Sequence, residues 1–446
     1  MVSVRPRLRV RLAAVAVLLA ALAGCSQDDP VDVTERGTPL PPAPVAPPSP
    51  IAAPSPRVSA SPSPPPTPSC DPGPPAPAPD ADTAPRVSGP LHVCGPALVD
   101  ADGSSVRLLA VAYSGLQQGQ GLPAVAGTYA TGCEGWVEPR EEDYDHMAEA
   151  GFNTVRLAIS WANLEPEPPV EGTHDYDDRY LAVLDDAVAE LTDRGVAVVL
   201  DMHQVRWSPA FHDLEILGSS HRVLCQGSGM PAWLYPEGGG QDEMVAAERA
   251  FFLGEEPDIE EGLVDAWTFL VDRYADEPLM IGADILNEPY DLLTAPYEGV
   301  DDIGPVDMAL TEFYERVGGE IQEHNPDLLL FVEDNISRRT GLFSLTREPE
   351  LDNFVYSPHF YQETWDEIAL DRLVKYHVRA AYWDRPLWLS EMTRFALDED
   401  WAASLASAVA YLKEQGVGWS LWSYRPDWFV PGTTQYGIVD VLREGF

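Results

Sequence analysis

Two acidic residues stand where mostly apolar runs end: Glu288 in "ADILNEPYD" (283–291) and Glu391 in "LWLSEMTRF" (387–395). A carboxylate carried on a buried strand without a partner is costly, so each needs a reason to be there. Each can supply the other's. Two carboxylates held about 5–5.5 Å apart are the equipment of retaining glycoside hydrolysis. One attacks the anomeric carbon; the other protonates the leaving oxygen and then activates water.

Further polar and aromatic residues end other apolar runs: Arg156, Asp201, His203, Asn287, Glu333, His359, Tyr361 and Trp422. Core packing alone does not place such residues at nearly every strand end. A metal centre is the other use for His203, His212, His221 and His359, but their spacing matches no common zinc signature. An esterase would need a Ser in a Gly-x-Ser-x-Gly elbow near a strand end, and none is found. We therefore expect neither a metal nor a cofactor.

Stepping from residues to elements, the apolar runs lie at 106–115, 152–160, 196–204, 280–289, 328–334, 354–360, 386–391 and 416–424. Between them lie helix-like stretches such as 141–150, 180–195 and 261–275, with Gly151, Gly195 and Gly416 placed as helix C-caps. Eight continuous apolar strands alternating with helices predict a parallel sheet covered on both sides. In about 350 residues this fits a (β/α)8 TIM barrel with long loops, whose functional residues gather at the C-terminal ends of the strands. A doubly wound open sheet is disfavoured, because no Gly-rich phosphate fingerprint follows an early strand.

The ends of the 446-residue chain differ in kind. Arg5, Arg7, Arg9 and Arg11 precede "LAAVAVLLAALAG" and Cys25, the pattern of a secretory signal. Residues 25–88 are rich in Pro, Ala and Ser and read as an extended spacer, with the folded domain over 89–446. The net charge of −44 repels nucleic acid and anionic polymers and favours neutral partners. Four cysteines follow Cys25, and an even number in an exported chain favours disulfides. Cys70–Cys94 with Cys133–Cys225 is the preferred pairing, the first stapling the spacer's end to the domain.

Over residues 90–446 these features resemble glycoside hydrolase family 5, the cellulase family of retaining glycosidases. The resemblance implies that Glu288, in Asn287-Glu288-Pro289, is the general acid/base and Glu391 the nucleophile, although Ser-Glu-Met replaces the commoner Gly-Glu-aromatic. Asn287 is then expected to hold a sugar 2-hydroxyl and Arg156 to orient the nucleophile as a carboxylate. His203, His359 and Tyr361 would surround the cleaved sugar, with Trp422 as the platform beneath it. The ending Leu22-Ala23-Gly24-Cys25 resembles a bacterial lipobox, which implies lipidation of Cys25 and an enzyme tethered outside the membrane; we expect a monomer.

Within the family the chain is most similar to the endoglycoceramidase-like branch, through "LAISWANLEPEP", "VAVVLDMHQ", "ADEPLMIGADILNEP" and "GWSLWSY". One position departs. That branch carries Asp two residues after the strand-three histidine, and here Val205 stands there. A lost sugar acceptor opens the specificity to endoglucanase, mannanase or β-glucosidase action. A non-catalytic carbohydrate-binding protein is the rival from another class. Trp136, Trp207, Trp233 and Tyr235, in the long first and third loops, are candidates for sugar stacking or for packing.

Overall fold

All eight apolar runs become parallel strands. In the computed structural model the described residues are 70, 84–118, 139–212, 214–215, 224–225, 228–289, 305–335, 345, 347–362, 367–394, 401–431 and 437–446. Cys25, Cys133, Trp136 and His221 lie outside them, as do the expected leader and almost all of the spacer.

The barrel strands are Leu109–Tyr113, Thr154–Ile159, Ala197–Met202, Met280–Asp284, Leu329–Val332, a sixth in two pieces, Trp388–Arg394 and Gly418–Leu421. They pair in the order five, four, three, two, one, eight, seven. The sixth closes the ring. Its first piece, Phe354–Tyr356, pairs with strand five, and its second, Phe360–Gln362, pairs with strand seven. Tyr356 also bridges to Leu387 at the start of strand seven. The intervening Ser357–His359 turns the chain from one neighbour to the other. This is the expected (β/α)8 barrel.

Helices Glu141–Ala150, Asp178–Asp193, Pro257–Arg273, Pro305–His324, Glu367–Trp383 and Trp401–Glu414 lie between the strands. The helix expected from residue 180 begins at Asp178, because the Asp177 carboxylate accepts the backbone N–H groups of Arg179 and Tyr180 and so caps the first turn. The first of these helices stops at Gly151, whose φ of 96° is one that glycine adopts without strain.

A three-stranded antiparallel sheet, Leu91–Cys94, Ala97–Asp100 and Ser105–Val106, precedes the barrel and was not anticipated. Its Leu91, Leu98 and Val106 join one apolar cluster with Ala197, Val199, Leu329, Phe331 and Trp388 of the barrel strands. The hairpin thus seals the end of the barrel opposite the functional residues. Ala84 and Val87 are already buried, and Ala84 N–H donates to Gly151 O at 2.9 Å, so the packed chain is entered before residue 89. Cys70 and Cys94 form a disulfide across this entry, their Cα atoms 5.1 Å apart. The other expected pairing involves Cys133 and falls outside the described residues.

Candidate active site

Strand geometry decides which side chains enter the barrel. Alternate residues point to one face, so Ala197 and Val199 carry Asp201 inward, and Leu329 and Phe331 carry Glu333 inward. Strand seven needs a correction to this rule. Trp388 faces inward, and a residue three further on would face the helices. The pairing register with strand eight shifts between Leu389 and Met392, a bulge that re-aims Glu391 into the barrel. Strand four continues its pairing past Asp284, with Asn287 N–H donating to Met202 O at 3.0 Å, and so carries Asn287 and Glu288 to the mouth.

Arg156 is the hub. It lies third in its six-residue strand, inside the barrel rather than at the strand end where the sequence placed it, and is fully buried. Its Nη1 contacts Glu391 Oε1 at 2.6 Å and Asp201 Oδ2 at 2.9 Å; its Nε meets Asp284 Oδ2 and its Nη2 Asn287 Oδ1, each at 2.9 Å. Removing one partner of a buried ion pair costs about 3–5 kcal/mol, because the other charges stay behind. Arg156→Met should therefore lower unfolding free energy by roughly that amount in urea titrations. A loss under about 1 kcal/mol would contradict the hub.

Around the two glutamates the contacts close into a ring. His359 Nδ1 lies 2.9 Å from Glu288 Oε1 and 3.4 Å from Glu391 Oε2. A carboxylate oxygen from each glutamate and a ring nitrogen of His359 all lie within 4.8 Å of one another. Tyr361 Oη donates to Glu391 Oε2. Glu391 is 3 % exposed and Glu288 26 %, so only Glu288 reaches toward solvent. His203 Nδ1 is 2.7 Å from Asp201 Oδ2, and its ring stacks on Trp422 at 4.9 Å between centroids. Glu288, Glu391, Asn287, His203, His359, Tyr361 and Trp422 thus gather at one mouth, around the buried Arg156.

Five carboxylates (Asp201, Asp284, Glu288, Glu333 and Glu391) face Arg156 and His359. Burial pushes the Asp284 carboxyl up to about 6, against the pull of Arg156, and pushes Glu333 well above the usual range. Burial disfavours the His359 cation, yet Glu333, Glu391 and Glu288 outweigh it and raise the imidazole to about 9. A histidine whose folded pKa exceeds its ordinary 6.5 stabilises the fold fully below about 6.5 and loses that contribution as pH rises through about 9. His359→Gln should flatten stability against pH across that window, by on the order of 3 kcal/mol. Melts at stepped pH check this, and an unchanged profile would refute it.

Among the described residues, two clusters bring three possible metal-ligand atoms together, Asp201–His203–Glu391 and Glu288–His359–Glu391. The first already encloses the Arg156 guanidinium, and the second encloses the imidazole of His359. His212 is exposed on its loop and joins neither. The fold thus supplies its own cations at both places.

Sequence reasoning missed two residues. Asp284 pairs with Arg156, and its signal was an acid inside the otherwise apolar "MIGADIL". Gln204 Nε2 donates to the carbonyls of both Asn287 and Glu288 at 2.9 Å, bracing the motif from strand three. Gly229 packs so closely here that a β-carbon on it would fall 2.4 Å from Gln204 Cβ. Of the loop aromatics, Trp207 is fully buried against Phe251 and Phe252, and its Nε1 donates to Tyr235 Oη. Trp233 donates to Glu165 O and packs edge-on to Trp161. These three are packing residues. Val205 pairs by backbone with Ser228, its N–H reaching Ser228 O at 3.0 Å.

Comparison with known proteins agrees with the barrel fold. The sequence profile of cellulase (glycosyl hydrolase family 5) matches residues 116–427. The chain belongs to glycosyl hydrolase family 5. Among curated relatives of this family 5 chain, a probable glucan 1,3-beta-glucosidase A of Aspergillus niger is 26% identical over 300 residues, 67% of this chain and 58% of that protein. Endoglycoceramidase I of Rhodococcus hoagii is 25% identical over 243 residues, 49% of this chain and 44% of that protein. The chain spans about half the length of the curated relatives it matches. A crystal structure of an endogalactoceramidase, 25% identical, covers 80% of this chain and 84% of its own with a TM-score of 0.61. Endo-glycoceramidase II from a Rhodococcus species shares the fold at 24% identity and a TM-score of 0.59, covering 77% of this chain and 80% of its own.

Proposed function

We propose that this family 5 chain is a retaining β-glycosidase, endo-acting on a β-linked glycan or glycolipid. The observation that carries the reading is the approach of Glu288 and Glu391, oxygen to oxygen within 4.8 Å. Retaining enzymes hold their carboxyl groups about 5–5.5 Å apart, whereas inverting ones need about 6.5–9.5 Å to admit water. Glu391, oriented by Arg156 and Tyr361, attacks the anomeric carbon while Glu288 gives its proton to the departing oxygen. Glu288 then takes a proton from water, whose oxygen displaces the Glu391 ester and restores both carboxyl groups. Asn287 holds a sugar hydroxyl, and Trp422, stacked on His203, offers its face to the ring.

The names of the related endoglycoceramidases and the endogalactoceramidase support a glycolipid substrate. Val205, in place of a sugar acceptor, and the related glucan 1,3-beta-glucosidases favour a second reading, action on a β-glucan or β-glucoside. The basic and apolar leader ending at Cys25, with the Pro-rich spacer, supports a chain held by lipid outside the cell membrane. Among the described residues no helix is long and apolar enough to cross a membrane.

The test is hydrolysis of glycosphingolipids, β-glucans, mannans and aryl β-glycosides by the mature protein, with Glu391→Gln as blank. Release of an intact oligosaccharide from glycosphingolipid supports the first reading, and turnover of β-glucan alone supports the second. No turnover of any class, with sugar still bound, would leave a carbohydrate-binding protein instead.

A further inference from the structure

Glu333 lies at the end of strand five, 1 % exposed, and touches the acid/base glutamate from beneath. Glu288 has a φ of 47°, in the left-handed region that residues other than glycine seldom adopt. Such a conformation persists only where its surroundings enforce it. One oxygen of Glu333, Oε1, accepts the backbone N–H of Glu288 at 2.5 Å. The other, Oε2, lies 3.4 Å from His359 Nε2, and the opposite nitrogen of that ring is 2.9 Å from Glu288 Oε1. The backbone of Glu288 is therefore held by a hydrogen bond to one oxygen of this buried carboxyl group, while the other oxygen lies in charge contact, without a hydrogen bond, beside the imidazole that meets the Glu288 side chain.

We propose that Glu333 is a positioning residue for the proton-transfer step, locking the left-handed backbone of Glu288 and fixing the imidazole that holds its carboxyl group. The proposal rests on Glu288 being the acid/base. Stability alone does not require this arrangement. A buried acid is an expensive way to fill space between strands, and its cost is offset through the Glu288 N–H and the His359 ring that it faces. Burial holds the Glu333 carboxyl well above the ordinary range, so the group responds to its neighbours. Those facing it are His359, Asp284, Glu288 and Arg156, with Tyr314, whose hydroxyl accepts the Glu333 N–H at 3.3 Å.

The experiment compares Glu333→Ala, Glu333→Gln and Glu288→Ala in the mature protein on phenyl and 2,4-dinitrophenyl β-cellobiosides, beside an imidazole NMR titration of His359. In kcat/KM, which reports the first step, Glu333→Ala should slow the phenyl glycoside about 100-fold and the dinitrophenyl glycoside less than about threefold, since only the phenyl leaving group needs the proton. Glu333→Gln keeps an oxygen for the Glu288 N–H and should recover most of that loss, while the His359 midpoint falls by at least about one unit, because its carboxylate neighbour is gone. Equal slowing of both glycosides, or a His359 midpoint unmoved in Glu333→Gln, overturns the proposal. If Glu333→Ala fails to fold, the Gln variant and the titration decide. If Glu288→Ala itself shows no preference for the dinitrophenyl glycoside, the acid/base reading fails, and with it the premise; if it does and Glu333→Ala does not, only the positioning role fails.

Discussion

Replacing Glu391 by Gln is expected to reduce turnover by about four to six orders of magnitude while leaving the fold and sugar binding in place. The amide has the carboxylate's size and keeps an oxygen for the Tyr361 hydroxyl. It has no charge to form the ester bond. It also gives the Arg156 guanidinium a neutral partner in place of an anion at 2.6 Å, while Asp201 and Asp284 still face that cation. The protein should therefore remain folded, and its melting curve serves as the control. Single-turnover kinetics with a 2-fluoro glycoside complete the test, since the label should appear on Glu391 in the parent and be absent from the variant. Turnover within tenfold of the parent would move the nucleophile elsewhere.

Replacing Glu288 by Ala acts differently, because the residue's work depends on the leaving group. Loss of a general acid costs about 10²- to 10⁴-fold where the departing oxygen needs a proton, and little where it leaves as a stable anion. Natural substrates and phenyl glycosides should therefore suffer most. With a dinitrophenyl glycoside the first step survives and the second, which needs the base, becomes limiting; added azide should then raise the rate by attacking the ester unaided. Uniform slowing across leaving groups, without azide rescue, would remove Glu288 from the proton's path.

How much of this was legible follows from where each residue sits. Asn287-Glu288-Pro289 and Glu391 stand out because apolar runs end on them, and their contrast with what precedes them is visible in one dimension. Arg156 was legible as a residue but not as a position: a guanidinium in mid-strand is tolerable only beside Asp201, Asp284 and Glu391, and those meet it only through the barrel's curvature. Asp284 and Gln204 escaped notice for the same reason, since each acts on a neighbouring strand. The bulge that turns Glu391 inward leaves no mark in "LWLSEMTRF", because it is set by the pairing with strand eight. The hairpin at 91–100 was hidden by its shortness, four residues on either side of a tight turn.

The divided sixth strand has a consequence for when the molecule can act. In an open sheet of the observed pairing order, strands four and seven are five positions apart, roughly 24 Å at about 4.8 Å per strand. Only the seam, with Phe354–Tyr356 on one edge and Phe360–Gln362 on the other, brings Glu288 and Glu391 within one imidazole's reach. His359 sits at the crossing point of that seam. A growing chain therefore carries Glu288 and Glu391 before the ring that unites them can close. The circle is complete only once strand eight, Gly418–Leu421, has joined. The proposed hydrolysis would then read out ring closure directly.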